Sequence, residues 1–145
     1  ENFELKRYLG RWYEIARLNH SFEEGLEAVT ADYSMRDDGG VRVINTGRDS
    51  DTGVVAQAEG RAYFVGGSNE GHLKVSFFGP FFGSYIIFEL DHQDYQYAFV
   101  AGYNTDYLWL LARTPEVSEN LILQFKDRVS ELGFNIEQLI FVRQN

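Results

Sequence analysis

Short stretches in which apolar and polar residues alternate run through most of this chain. In the clearest of them, residues 28–36, Val29, Ala31, Tyr33 and Met35 are separated by single polar residues. A period of two puts successive side chains on opposite faces of an extended backbone, so this stretch predicts a β-strand.

The same character recurs in seven further segments, which turn-forming residues separate. We predict these strands at residues 12–18, 41–45, 54–65, 72–78, 85–90, 97–103 and 106–113. The connection Asp37-Asp38-Gly39-Gly40 is typical of a hairpin turn, because glycine tolerates positive φ. Eight short strands joined mostly by tight turns indicate an antiparallel sandwich or barrel.

The hydrophobic period changes after Arg113 from that of a strand to that of a helix. Ser118 is a good N-cap and Gly133 suits the position just beyond a helix C-terminus. Apolar residues recur between them at helical spacing, namely Leu121, Ile122, Phe125, Val129 and Leu132. The pattern predicts one amphipathic helix of about fourteen residues, followed by a short strand at 139–142.

The predicted strands at 97–103 and 106–113 are apolar on both faces. Trp109 and Leu111 alternate with Leu108 and Leu110 in the second of them. A strand of this kind needs cover on both sides. The helix can cover one side, and the other must face an interior, which favours a helix packed outside a closed sheet.

Charge and composition exclude several classes of function. The 145 residues are typical of one domain, and their net charge of −9 argues against nucleic acid and anionic headgroups as partners. The chain has no cysteine, its three histidines lack metal-ligand spacing, and no nucleophile elbow or phosphate-binding loop occurs. We therefore predict no metal site, no cofactor and no catalytic residue.

Three motifs occur in register along the chain, namely Gly10-Arg11-Trp12-Tyr13-Glu14, Asp94-Tyr95 and Arg113-Thr114-Pro115. In this order, and ahead of a C-terminal helix, they resemble the three signature regions of the lipocalins. The sequence around these motifs, including Lys74-Val75-Ser76-Phe77-Phe78-Gly79-Pro80-Phe81, is similar to that of bacterial lipocalins of the Blc type. The resemblance covers nearly the whole chain and implies a single lipocalin domain at residues 1–145.

The implied fold is all-β: an eight-stranded antiparallel up-and-down β-barrel, open at one end, with one C-terminal α-helix packed outside. Eight strands close around a space just large enough for side chains or one small ligand. The signature residues Gly10, Trp12, Asp94, Tyr95 and Arg113 are expected to share the closed end as structural residues. There a guanidinium stacked on an indole would seal the barrel through a cation–π contact.

The stretch Gly79-Pro80-Phe81-Phe82-Gly83 follows the fifth strand and the Phe22 loop follows the first, so we expect the aromatic residues of both at the open end. Exposed apolar clusters usually mark binding surfaces, which favours a gate for an acyl chain. The alternative is that these rings fold inward as an upper layer of the core. A homodimer through the same open mouth is a further reading.

Strand alternation together with the register of the family predicts the lining of the cavity. The expected ligand-binding residues are Phe22, Val75, Phe77, Phe81, Ile86, Phe88, Leu90, Phe99, Ala101, Tyr103, Trp109 and Leu111. Tyr103 would donate a hydrogen bond to the ligand's headgroup, with Arg17, Arg61 or Lys74 as the assisting cation. For the second strand two readings stay open: apolar alternation puts Val29, Ala31, Tyr33 and Met35 inside, whereas family register puts Thr30, Asp32 and Ser34 there.

The resemblance implies a protein that binds and carries or stores a fatty acid or a lysophospholipid, in transport or maintenance of envelope lipids. It places the chain on the periplasmic face of a bacterial outer membrane, held by a lipid anchor outside the sequence given. The runner-up is an enzyme on the same barrel that acts on a lipid, with Asp32 as its candidate acid or base. A third reading is a structural envelope protein with a filled core.

Overall fold

The computed structural model describes residues 3–18, 26–67, 70–78, 81–102, 107–142 and 144, with backbone alone at 26, 77, 78, 81 and 82. Within these ranges the chain forms nine strands and two α-helices. The strands are β1 Gly10–Leu18, β2 Leu26–Met35, β3 Val41–Asp49, β4 Val55–Phe64, β5 His72–Phe78, β6 Phe81–Leu90, β7 Tyr97–Ala101, β8 Leu108–Ala112 and β9 Leu139–Phe141. The helices are α1 Leu5–Tyr8 and α2 Glu119–Glu131, and a 3₁₀ turn spans Ile136–Gln138.

The first eight strands form a closed antiparallel barrel. Each strand pairs with the next along the chain, from β2 through to β8, and β1 closes the ring by pairing with both β8 and β2. Each strand of this ring therefore pairs with a neighbour on both sides, as in other closed barrels. The predicted up-and-down barrel is confirmed.

Strands β1 and β2 pair over only part of their length. Their pairing covers Gly10 to Tyr13 of β1, whereas the end of β1, up to Leu18, pairs with β9 instead. At the division the Gln144 side chain donates hydrogen bonds to the backbone carbonyls of Glu14, at 2.6 Å, and Val29, at 3.2 Å. Because β9 pairs with the end of β1, the short final strand that the sequence predicts extends the sheet on the outside of the barrel.

Helix α2 packs against the outer face of β7 and β8. Ser118 accepts a hydrogen bond from the Leu121 backbone N–H at 3.1 Å, and Gly133 follows the helix with a φ of 95°. These are the start and stop that the sequence predicts. Phe125 and Val129 of this helix are fully buried against the barrel. The expectation that one face of the doubly apolar strands faces a helix is confirmed. Neither of the two helices in the described ranges is long and apolar enough to cross a membrane.

One end of the barrel is closed by the residues of the three signature motifs. The Arg113 guanidinium lies 3.9 Å from the centre of the Trp12 ring and donates to the carbonyl oxygens of Arg11, Leu9 and Arg7. Trp12 is 0% exposed, and its indole Nε1 donates to the Tyr8 carbonyl at 2.7 Å. A cation that stacks on the indole and bonds several carbonyls stabilises the end where helix α1 crosses the barrel.

Gly10 and the loop between β6 and β7 complete this closed end. Gly10 has a φ of 100°, a backbone conformation that glycine adopts readily and that other residues rarely adopt. Tyr95 accepts a hydrogen bond from the Glu4 backbone N–H at 2.9 Å. The Asp94 side chain is exposed, and Asp91 instead accepts from the loop's backbone N–H groups, including that of Asp94 at 3.3 Å.

Candidate functional site

The barrel encloses an apolar cavity of about 550 Å³. Phe3 and Tyr8 line its closed end, where helix α1 crosses the barrel. Thr46 and Gln57 line it at the other end, near the connection between β3 and β4. Pockets of about 300–1,000 Å³ with mostly apolar walls are typical of small-molecule sites.

Three of the residues that the sequence predicts as lining are found at the cavity surface. Val75 on β5 and Trp109 and Leu111 on β8 line the cavity. Leu90 also faces the interior, but it belongs to the core below the cavity. Val75, Trp109 and Leu111 lie on β5 and β8, where the alternation of side chains was assigned correctly.

The predicted facing of Phe88 and Phe99 is wrong. Both belong to the core under helix α2, with the Phe99 ring 4.9 Å from the Phe125 ring and 6.0 Å from that of Phe88. Val100, the neighbour of Phe99 on β7, lines the cavity instead. A register shift between Ile87 and Glu89 changes the alternation along β6 relative to β7.

The neighbouring prediction for Ile86 and Ala101 is also not supported. These two are Cα partners on β6 and β7, and neither lines the cavity. Gly83, Ser84 and Tyr85 are the β6 residues that line the cavity. The four remaining predicted ligand-binding residues have side chains outside the described part of the structure, namely Phe22, Phe77, Phe81 and Tyr103. Their roles, and the inward-folded alternative, stay predictions.

The two open readings of the second strand are resolved in favour of apolar alternation. Val29, Ala31 and Tyr33 line the cavity, while Met35 at the end of the strand is 50% exposed. Asp32 faces outward and forms an ion pair with Arg11 at 3.0 Å. The reading that places Thr30, Asp32 and Ser34 inside is therefore wrong, because β1 and β2 pair with their apolar residues towards the barrel axis.

A buried ion pair lies in the wall of the barrel beside the cavity. Glu14 lines the cavity, and its Oε1 lies 3.7 Å from Nη1 of Arg17, a residue that is 2% exposed. Arg61 and Lys74, the other cations considered for a headgroup, do not line the cavity. Arg17 is thus paired with a residue of the cavity lining.

Three tyrosine hydroxyls meet at the closed end of the cavity. The Tyr85 hydroxyl is 2.6 Å from that of Tyr8 and 2.7 Å from that of Tyr33. Burial raises the pKa of Tyr8 and of Tyr85 well above the ordinary value for a tyrosine, and the neighbouring Tyr33 acts in the same direction. The Tyr8 and Tyr85 hydroxyls are therefore neutral at physiological pH. We call Tyr8, Tyr33 and Tyr85 the tyrosine floor.

Comparison with known proteins identifies the family of this barrel. A family model described as a lipocalin-like domain matches residues 3–144. The outer membrane lipoprotein Blc of Vibrio cholerae is 57% identical over 143 residues, covering 99% of this chain and 84% of that protein. The chain belongs to the lipocalin family. The Blc protein of Escherichia coli K12 is 51% identical over 143 residues, covering 99% of this lipocalin and 80% of the relative.

More distant relatives agree with this assignment. Mouse apolipoprotein D is 33% identical over 146 residues, covering 96% of this lipocalin and 76% of the relative. The structure of insecticyanin from the tobacco hornworm Manduca sexta superposes with a TM-score of 0.77 at 21% identity, covering 98% and 81% of the two chains. That similarity shows the shared fold alone. The chain is thus a lipocalin that binds hydrophobic ligands, with an apolar cavity suited to them.

Sequence reasoning missed several residues of the lipocalin cavity. The alternation of Val41 and Val43 with polar residues was a signal, and both line the cavity from β3. Glu14 carried no such signal, because period-two patterning does not predict a carboxylate inside a barrel. Tyr8 precedes the first strand, so its place at the floor follows only from helix α1 crossing the barrel.

Across the described ranges, no group of three or more His, Asp or Glu side chains could hold a metal ion.

The tyrosine floor predicts a loss of stability at alkaline pH. Tyr8 and Tyr85 keep their protons in the folded state above pH ~10, where tyrosines of the unfolded chain ionise. The contribution of these two tyrosines to the free energy of unfolding is fully present below that pH. It is lost as the pH rises towards the pKa values of the two groups in the folded state. Urea unfolding followed from pH 8 to about 11 should show this loss, and the Tyr8→Phe variant should lose less than the wild type does. Tyr63→Phe, outside the cavity, serves as control; an equal pH dependence in all three proteins would contradict the assignment.

Proposed function

We propose that this lipocalin binds and carries or stores a fatty acid or a lysophospholipid in its barrel cavity. The observation that carries the proposal is the apolar cavity of about 550 Å³, which extends from the closed end towards the connection between β3 and β4. Val43, Leu73 and Val100 illustrate its aliphatic walls. Such walls favour an acyl chain, because they offer dispersion contacts and few hydrogen-bonding groups.

The hydrophobic contribution sets a limit near micromolar affinity for an acyl chain of about ten buried carbons. Burying one methylene group stabilises a complex by roughly 0.8 kcal/mol, so about ten of them give roughly 8 kcal/mol before the costs of association. Ordering the chain and immobilising the ligand remove part of this gain. Selection among lipids would then depend on the length of the cavity and on contacts made by the headgroup near the mouth.

The proposed setting is the bacterial envelope. The relatives from Vibrio cholerae and Escherichia coli are named outer membrane lipoproteins. By analogy we place this chain on the periplasmic face of the outer membrane, lipid-anchored in the full-length protein, with a role in the transport or maintenance of envelope lipids. Fatty acids and lysophospholipids are amphiphiles of the kind that such a membrane contains.

Binding without chemical conversion is part of the proposal. The carboxylate considered for a catalytic role, that of Asp32, is paired with Arg11 on the outside of the barrel. Glu14 does line the cavity, but it forms a buried ion pair with Arg17. The reading of a structural protein with a filled core is not favoured, because the described side chains leave the cavity between them.

Extraction of bound lipid followed by mass spectrometry tests the proposal. Protein purified from bacterial cells should release fatty acid or lysophospholipid, and delipidated protein should bind both in a titration followed by tryptophan fluorescence. A lipid added to the protein should be recovered unchanged after incubation. Purified protein that carries no lipid and binds neither class would refute the proposal, and conversion of the added lipid would favour the enzyme alternative.

A further inference from the structure

The closed end of the cavity carries hydroxyl groups beside apolar side chains such as Phe3, in contrast to its aliphatic walls. The hydroxyl groups of the tyrosine floor form a chain, with Tyr85 between Tyr8 at 2.6 Å and Tyr33 at 2.7 Å. All three residues line the cavity. The inner end of a bound ligand therefore meets hydroxyl groups, although an aliphatic floor would suit the methyl end of a plain acyl chain better.

The floor keeps hydrogen-bonding capacity beyond these two contacts. A tyrosine hydroxyl donates one hydrogen bond and accepts up to two. The Tyr8 hydroxyl makes one bond, to Tyr85, and the Tyr85 hydroxyl makes two. Because burial keeps both groups protonated, each remains able to act as donor or acceptor. A polar ligand atom that reaches the floor can thus be bound there.

The charge behind the floor favours an oxygen atom as that ligand group. The Tyr8 ring lies 4.8 Å from the Trp12 ring, and the Arg113 guanidinium stacks on Trp12 at 3.9 Å. Burial is the largest effect and raises the pKa of Tyr8, whereas Arg113 acts in the opposite direction, as expected of a positive charge near this hydroxyl. A positive charge on the far side of the floor stabilises partial negative charge on the cavity side.

We propose that the tyrosine floor binds a hydroxyl or keto oxygen at the inner end of the ligand. The preferred cargo is then an acyl amphiphile with a second oxygen function at or near the end opposite its headgroup. This inference rests on the proposed function, since it assumes that an acyl chain enters the cavity with its headgroup towards the mouth. The contact at the tyrosine floor would be a second polar contact, in addition to the one that the headgroup makes near the mouth.

Matched pairs of fatty acids with and without a terminal hydroxyl test the inference. Dodecanoic, tetradecanoic and hexadecanoic acids are compared with their ω-hydroxy counterparts by titration of delipidated protein. An unsatisfied hydroxyl in an apolar site weakens binding by roughly tenfold or more. In the wild type, at the length that reaches the floor, the hydroxy acid should bind within about threefold of the plain acid, because the tyrosines satisfy its hydroxyl.

The Tyr85→Phe variant removes the central hydroxyl of the floor. We expect its affinity for that hydroxy acid to fall by about tenfold, while its affinity for the plain acid changes by less than about threefold. Tyr8→Phe is the second variant, for use if Tyr85→Phe does not fold as judged by circular dichroism. Tyr63→Phe is the matched control, because it removes a hydroxyl that bonds Asp38 outside the cavity.

The outcomes separate this inference from the function on which it rests. If the plain and the hydroxylated acids lose affinity equally in the floor variants, or if neither changes at any length, the inference is overturned and acyl-chain binding stands. If no fatty acid and no lysophospholipid binds the wild type, the proposed function itself fails. Selective weakening of the hydroxy acid in the floor variant, with the Tyr63→Phe control unchanged, supports the inference.

Discussion

Replacing Trp12 by alanine is expected to lower the free energy of unfolding by about 3–5 kcal/mol, as large deletions in a packed core do. Trp12 is 0% exposed, and the change removes the ring between Tyr8 and the Arg113 guanidinium. It also leaves the Tyr8 carbonyl without its 2.7 Å hydrogen bond from the indole. Lost burial, a new cavity and a poorly solvated cation act together. Equilibrium unfolding in urea measures the effect.

Trp109→Ala is the matched control, since it makes the same chemical change in the other tryptophan of the chain. Trp109 is partly buried and lines the cavity, so its removal enlarges an existing space and does not open a new one in packed protein. We expect it to cost less than half as much stability as Trp12→Ala, and to weaken lipid binding instead. An equal loss of stability from the two changes would contradict the assignment of Trp12 to the closed end.

Filling the cavity with an indole is expected to weaken binding of fatty acid by about 15-fold or more. Val75 lines the cavity from β5, and in Val75→Trp the larger ring would occupy space that a ligand needs. Displacing even two methylene groups removes roughly 1.6 kcal/mol, which corresponds to that factor. Titration of the delipidated variant with hexadecanoic acid and with a lysophospholipid measures the loss.

Lys74→Trp provides a control on the neighbouring residue of the same strand. Lys74 is exposed and does not line the cavity, so the same ring is added on the outer face of the barrel. Its affinity for both lipids should stay within about twofold of the wild type, as is usual for changes far from a site. Unimpaired binding by a folded Val75→Trp variant would show that the ligand lies elsewhere.

The candidate site was predictable where one face of a strand is plainly apolar and the other polar. Val75 follows this rule and lines the cavity. On β7 both faces are apolar, so the pattern predicts that the strand is buried on both sides but does not distinguish Phe99 from Val100. Phe99 packs against helix α2, and Val100 lines the cavity. On β2 the apolar pattern gave the correct facing, whereas register taken from the family did not.

The sequence by itself determined the strands of the barrel and the helix from Glu119 to Glu131, and the resemblance of its motifs to those of lipocalins implied the closure of one end by Trp12 and Arg113. Periodicity, caps and turns are local signals, and the chain carries them without reference to distant residues. Only the tertiary structure decided which face of β6 and β7 lies inside and which side chains meet at the tyrosine floor. A one-residue shift in strand pairing reverses the facing of the residues beyond it, and this register depends on contacts between strands rather than on the strand alone.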